Sequence, residues 1–327
     1  MSHRTVRTVS FLFILLTIVA FVPGLACTAL GFQAAAGVAV LGAVTGMSAA
    51  VHGGWRIGLR AAAATGIASA LATLVVGQWM AAFLLFLLIG LRLAVAGRNG
   101  MWPAYVLVPI SAGFVLGEDP SVSAQPVLDA VTIGLLLAAS AVFAVLVTHV
   151  ALRGRTLPRA TDLSPGRALA FGLTLGVLLG IAAAIVVYFQ LGHTGAWTIL
   201  TVSIIVQPFI QDGFTKALQR AAGTLLGFVI AILIAVAVPS TTLIYILAVL
   251  ASVISLAFLV DQRPYWMYAT ALTVAIVCLE GASTSILDTA RDRLIATAIG
   301  AALSLLAIAI LEPFARRNAH RTGATHY

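Results

Sequence analysis

ALAFGLTLGVLLGIAAAIVVY, residues 168–188, runs for 21 residues without a charge. About 20 apolar residues suffice to cross the hydrocarbon core of a bilayer. The run lacks the two-residue alternation of a barrel strand, so it predicts a membrane helix. Gly172, Gly176 and Gly180 recur at four-residue spacing within it. Such a stripe of small residues lets a second helix backbone approach closely.

The rest of the chain is built alike. Of 327 residues, 61% are hydrophobic and 9% charged, with a mean hydropathy of +1.11. A soluble domain carries about a quarter charged residues. In lipid every backbone polar group must be satisfied inside helices or a closed barrel. The chain therefore reads as an all-α polytopic membrane bundle. Twelve spans are predicted near 8–29, 33–51, 57–77, 79–97, 103–117 and 127–151, then 166–190, 194–210, 217–238, 241–260, 264–280 and 289–312. The N-terminal run up to Cys27 has some signal-peptide character, but Gly24 replaces the leucine of a lipoprotein cleavage site. It is read as a retained first helix.

Basic residues set the orientation. With the N-terminus inside, sixteen arginines and lysines fall on the cytoplasmic side, and only Arg291 and Arg293 fall outside. Glu118, Asp119, Asp129, Glu280, Asp288 and Asp292 lean outward. The net charge of +8 is thereby explained by topology, with the bilayer and not a nucleic acid as partner. The expected location is a cell membrane, with both chain ends cytoplasmic. All five tryptophans (Trp55, Trp79, Trp102, Trp197, Trp266) lie near predicted span ends, as an interfacial aromatic belt requires.

A shift of 161 residues superposes Gly31 on Gly192, Gly66 on Gly227, Pro103 on Pro264 and Asp119 on Glu280. It also lays six spans on six. Each half has an even number of passes, so the repeat is parallel, about an axis along the membrane normal. The expected domains are a six-helix repeat at 1–151, a cytoplasmic linker at 152–167, a second six-helix repeat at 168–312 and a short tail at 313–327. The halves differ chemically. Trp197, Thr201 and Gln207 stand opposite Ala36, Val40 and Gly46, so the working side chains are expected in the second half.

Two stretches there carry most of the polar chemistry. In KALQRAAGTLLG (216–227), Arg220, Gly223, Thr224 and Gly227 share one helical stripe. Lys216 and Arg220 are placed at the helix start, where the dipole is also positive, a pattern that attracts anions. Lys216 fits equally well as a topology signal or a partner of lipid phosphate. Arg220, one turn deeper, is expected to pair inside the bundle. In RPYWMYATALT (263–273), Arg263 and Pro264 open a short span followed by Tyr265, Trp266, Tyr268, Thr270 and Thr273. Its counterpart holds Pro109 and Gly113, and short or broken spans at matching positions point to a transport site. Aromatic faces beside arginines suit an aromatic organic anion. Trp266 is also explained by the belt alone.

Trp197, Thr201, Gln207 and Pro208, then Arg220, Gly223, Thr224 and Gly227, and later Arg293, resemble the pattern of the fusaric acid resistance and aromatic acid exporter superfamily. The resemblance covers residues 180–312 well and the first half weakly. It implies a six-plus-six helical transporter exporting aromatic carboxylates or related hydrophobic anions. Substrate contacts are expected from Trp197, Thr201, Gln207, Arg220, Thr224, Arg263, Tyr265, Tyr268 and Thr273. Pro208, Gly223 and Gly227 are expected to pack helices. Many relatives carry a sizeable soluble region, which this chain replaces with a linker and a tail.

Other chemistry finds no support. The single lysine follows Thr215, so there is no phosphate loop of the Gly-Lys type. The six histidines are scattered and Cys27 and Cys278 lie far apart, so no metal or cofactor is expected. No nucleophile, base and orienting acid are grouped, and the chain is not read as an enzyme. Proton coupling would need an ionisable group that changes exposure in the membrane. Glu280, Asp288, Asp292 and Arg293 are the candidates, although Glu280 also fits an outer loop and Asp288 can pair with Arg291. Three functions remain open: an exporter of organic anions, an anion channel of the same bundle, and a non-transporting membrane partner. A homo-oligomer is compatible with all three.

Overall fold

The computed structural model describes residues 19–116, 125–153, 162–206, 210–238, 240–260, 263–281, 291, 293–306 and 309. Among them the chain is helical, with no strand. Gln207, Pro208, Asp288, Asp292 and the expected tail at 313–327 lie outside the described residues, as does half of the expected linker. Nothing is described of the side chains of Lys216 and Glu280. The chain forms two compact units, Met1–Ser203 and Ile204–Tyr327.

The first unit opens with α1 (Val19–Ala29) and α2 (Gln33–Leu74). Straight, the 42 residues of α2 would reach about 63 Å, twice the hydrocarbon thickness. Gly54 breaks it, with φ 74° and ψ 177°, a conformation that suits glycine. Its partner is α6 (Pro126–Ala151). Before the break, Gly42 faces Leu137 and Gly46 faces Ala141, so the two helices run the same way. After it, Gly58 faces Val145 and Gly66 faces Gly134, so they run oppositely. Residues 33–53 and 55–74 are thus two antiparallel limbs, each about one span long, where the sequence predicts two spans.

The seam between α2 and α6 leaves no room for side chains. A methyl on Gly66 would lie 2.7 Å from the Gly134 carbonyl oxygen, and one on Gly134 would lie 2.8 Å from that of Gly66. A second seam joins α3 (Trp79–Gly97) to α7 (Pro165–Tyr188). There Gly172 meets Ala94 and Gly90, Gly176 meets Leu87 and Gly180 meets Phe83. The order is antiparallel, and the four-residue glycine stripe read from the sequence lies on the contact.

Between these elements the predicted span 103–117 is two pieces, α4 (Trp102–Tyr105) and α5 (Val108–Leu116). Pro109 explains the break, since its ring would strike the carbonyl of Tyr105 and it donates no hydrogen bond. Helix α8 (Gly192–Ile205) lies in this unit up to Ser203, and its Ile199 packs on Gly113 of α5.

The second unit contains α9 (Ile210–Ala237), α10 (Thr241–Val260), α11 (Tyr265–Gly281) and α12 (Arg293–Leu306). Helix α11 packs on both α9 and α10. Ala231, Ile244, Ala248, Val274 and Val277 form their common core, together with Cys278. Both cysteines are free.

Five helices among the described residues are long and apolar enough to cross a membrane. Leu84, Leu88 and Val95 on α3, and Val229, Leu233 and Val236 on α9, point outward. Alanines and hydroxyls are numerous among the buried residues, beside larger side chains such as Phe86 and Leu137. Many hydroxyls donate to a carbonyl one turn back in their own helix: Thr45 to Leu41, Thr65 to Ala61, Ser203 to Ile199 and Ser304 to Gly300. This self-satisfaction makes a hydroxyl tolerable where water is absent. An apolar outside and a self-satisfied polar inside are what a multi-pass membrane protein requires.

Candidate functional site

Helix α9 begins at Ile210, seven residues before the apolar segment Ala217–Ala237. This corrects the expectation that Lys216 and Arg220 open the helix. Arg220 lies about 15 Å along the axis from Ile210, and the dipole effect fades within the first turn. The α9 dipole therefore contributes nothing to an anion site at Arg220. What Arg220 does reach is the start of a different helix. Its Nη1 donates to the Tyr265 hydroxyl at 3.0 Å, and Tyr265 is the first residue of α11. The positive helix end near Arg220 is that of α11.

Glycine brings the two helices together. A methyl on Gly223 would lie 2.6 Å from the Trp266 carbonyl oxygen, and one on Gly227 2.6 Å from that of Thr270. Both contacts advance in the same direction, so α9 and α11 are parallel, and Arg220 lies one turn before them. Thr224, on the same α9 stripe, is buried. From α11 come Thr270 and Thr273, both buried, with the Thr270 hydroxyl donating to Trp266 at 2.8 Å. The rings of Tyr265 and Tyr268 stand 5.7 Å apart, tilted by 35°.

Arg220 is 4% exposed, and its Nε has no hydrogen-bond partner. Among the described residues no carboxylate pairs with it. A guanidinium is permanently charged, and burying an unpaired charge costs several kcal/mol. An anion on the free edge would recover much of that. The arrangement brings one buried cation, one aromatic pair and three buried threonines together along the α9–α11 seam.

Other expected site residues belong to other elements. Trp197 and Thr201 belong to the unit Met1–Ser203, on α8. Trp197 is 5% exposed and packs edge-on against Phe114 of α5, ring centroids 4.7 Å apart. Trp55, Trp79 and Trp266 are well exposed, so Trp197 differs from them in being buried. Thr201 donates to the Trp197 carbonyl at 2.8 Å. Arg263 is exposed just before α11, with its backbone N–H bonded to Phe258. Arg293 is buried at the first turn of α12 and is not without a partner. Phe114 is absent from the residues that the sequence singles out. Its role arises from a contact between distant helices, which no local spacing encodes.

Residues 181–307 match the family model described as fusaric acid resistance protein-like. No curated protein and no solved structure matches the chain. The matched region runs from within α7 through α12 and contains the whole of the Arg220 cluster. Residues 181–307 are thus similar to the fusaric acid resistance protein-like family, the one that the Trp197, Arg220 and Gly223 motifs resemble.

Proposed function

We propose that the chain is a secondary transporter that exports aromatic or other hydrophobic organic anions from the cytoplasm, with Arg220 holding the anion. The observation that carries this reading is the buried Arg220, bonded to the Tyr265 hydroxyl and left with a free Nε. The family match supports transport as the general role. Tyr265 and Tyr268 supply faces for an aromatic ring, and Thr224 and Thr273 narrow the space beside it. Gln207 and Arg263 would receive the anion on its way in. Pro208, Gly223 and Gly227 would hold the helices around it.

Twelve passes are the topology proposed. The two limbs of α2 count separately, and α4 with α5 makes one broken span. The relative directions of α2, α6, α3, α7, α9 and α11 all agree with alternating passes. In this reading the chain is a duplicated six-helix bundle with both ends cytoplasmic. Glu280, Asp288 and Asp292 are the groups proposed to carry the coupling protons, with Arg293 as a fixed cation beside them in sequence.

Uptake of labelled 4-hydroxybenzoate into inside-out vesicles, with and without a proton gradient, tests the reading. Gradient-driven uptake by wild type that fails in Arg220→Ala at equal protein level supports it. Uptake that only follows the substrate gradient makes the protein a channel instead. No uptake across a panel of organic anions would sink both.

A further inference from the structure

A second cationic surface stands apart from Arg220, in the unit Met1–Ser203. The reversal at Gly54 places Trp55 and Arg56 at the end of α2's second limb, beside the C-terminal end of α6. The Arg56 guanidinium lies 5.4 Å from the Trp55 ring centroid, and the His149 ring of α6 lies 6.0 Å from it. Arg60 is one turn along from Arg56 on the same face. Arg153 continues past the end of α6, its N–H bonded to Val150. All five side chains are exposed, and among the described residues none of these arginines pairs with a carboxylate.

An apolar track leads away from this patch. Phe143, Leu146 and Val150 of α6 are 37%, 51% and 70% exposed. They follow one another at three- and four-residue steps along one face of α6. The helix end also carries partial negative charge, which the cations offset. That accounts for His149 and Arg153 on α6, but not for Arg56 and Arg60 on α2. A soluble anion would use the cations alone. A lipid with a charged headgroup would use the cations and the track together.

We infer that Trp55, Arg56, Arg60, His149 and Arg153 bind the headgroup phosphate of an anionic phospholipid whose acyl chains lie along Phe143, Leu146 and Val150. Trp55 sits at the interface, where its ring is apolar on its faces and polar at its N–H. Its contact with Arg56 holds the guanidinium at headgroup level.

Native mass spectrometry of the full chain in detergent, titrated with dioleoyl phosphatidylglycerol or dioleoyl phosphatidylcholine, tests the site. Wild type is expected to retain the glycerol lipid in preference to the choline lipid. Each arginine near an anionic lipid contributes about fivefold in affinity. Arg56→Ala, Arg60→Ala and Arg153→Ala combined should therefore lose on the order of a hundredfold. If the triple variant fails to fold, Arg60→Ala and Arg153→Ala singly test the same site, with an expected loss of about fivefold each. Arg98→Ala, a cation removed from the end of α3, should change nothing. The inference is overturned if the patch variants keep wild-type affinity for phosphatidylglycerol, or if wild type does not discriminate between the two lipids. Displacement of the lipid by glycerol 1-phosphate would also overturn it, because the site would then serve soluble phosphates.

Discussion

The seam between α2 and α6 and the seam between α9 and α11 are closed by the same device, yet they differ in what surrounds it. In each, paired glycines bring two helix backbones close enough that a methyl would strike a carbonyl: Gly66 against Gly134, and Gly227 against Thr270. Around Gly66 the neighbours are glycine and alanine. Around Gly223 and Gly227 stand Arg220, Tyr265, Thr224, Thr270 and Thr273, four of them nine-tenths buried or more. Glycine proximity is therefore a packing device in both. Only the second borders a buried charge, that of Arg220.

The positions of Gly66 and Gly227 sharpen the contrast. A 161-residue shift superposes them, but Gly66 meets α6 while Gly227 meets α11. Under the proposed duplication, α11 corresponds to α5 and not to α6. Equivalent glycines thus face different partners, and only one of them borders a polar cluster.

Breaking either seam should have the largest effect. Gly66→Leu and Gly227→Leu each force a side chain into a carbonyl, beyond the roughly 1–3 kcal/mol typical of overpacking. Both should abolish folded protein, read as the monodisperse peak in fluorescence-detected size exclusion. A surviving Gly227→Leu would show that the α9–α11 approach is looser than the α2–α6 one.

Next comes the charge that distinguishes the two. Arg220→Ala should leave the folded peak close to wild type and reduce transport at least about thirtyfold, since losing one partner of a buried charged contact costs roughly 2–5 kcal/mol. A collapse of the folded peak with no separate transport defect would make Arg220 a structural residue, like the glycines. Tyr265→Phe removes the hydroxyl that holds Nη1 and leaves the ring. Hydrogen bonds to charged groups contribute about 1.5–3 kcal/mol, so transport should fall about tenfold or more, mostly through weaker substrate binding.

The smallest effect is expected in the other unit. Thr201→Val removes a hydroxyl that bonds only its own helix, to the Trp197 carbonyl. Transport should change by less than about threefold, and stability by less than about 1.5 kcal/mol. A large transport loss would bring α8 into the anion path and undo the assignment of function to the α9–α11 seam alone.

Much of this is legible in the sequence because membrane helices obey simple rules. Long uncharged runs and glycine stripes mark α3, α6 and α7 and the seams that join them. The arginine, tyrosine and threonine positions of α9 and α11 are visible as stripes. What the sequence conceals comes from helix boundaries and from contacts between distant segments. Residues 210–216 are too polar to count toward a membrane span, yet they continue α9, so Arg220 reads as the start of its own helix when it meets the start of α11 instead. The gap between the predicted spans 33–51 and 57–77 marks the turn in α2, although nothing in the sequence singles out Gly54 as its hinge. Trp197 fits a belt by position, but Phe114 buries it.

The buried guanidinium of Arg220 is proposed to bind an organic anion and not merely to secure the seam. Equilibrium binding of tritiated 4-hydroxybenzoate to the purified full chain, comparing wild type with Arg220→Lys at equal melting temperature, tests it most directly. Lysine keeps the charge but loses the planar fork that a carboxylate accepts. Affinity is expected to be at least tenfold weaker in Arg220→Lys, on the order of 1.4 kcal/mol. Equal affinity in the two proteins would contradict it.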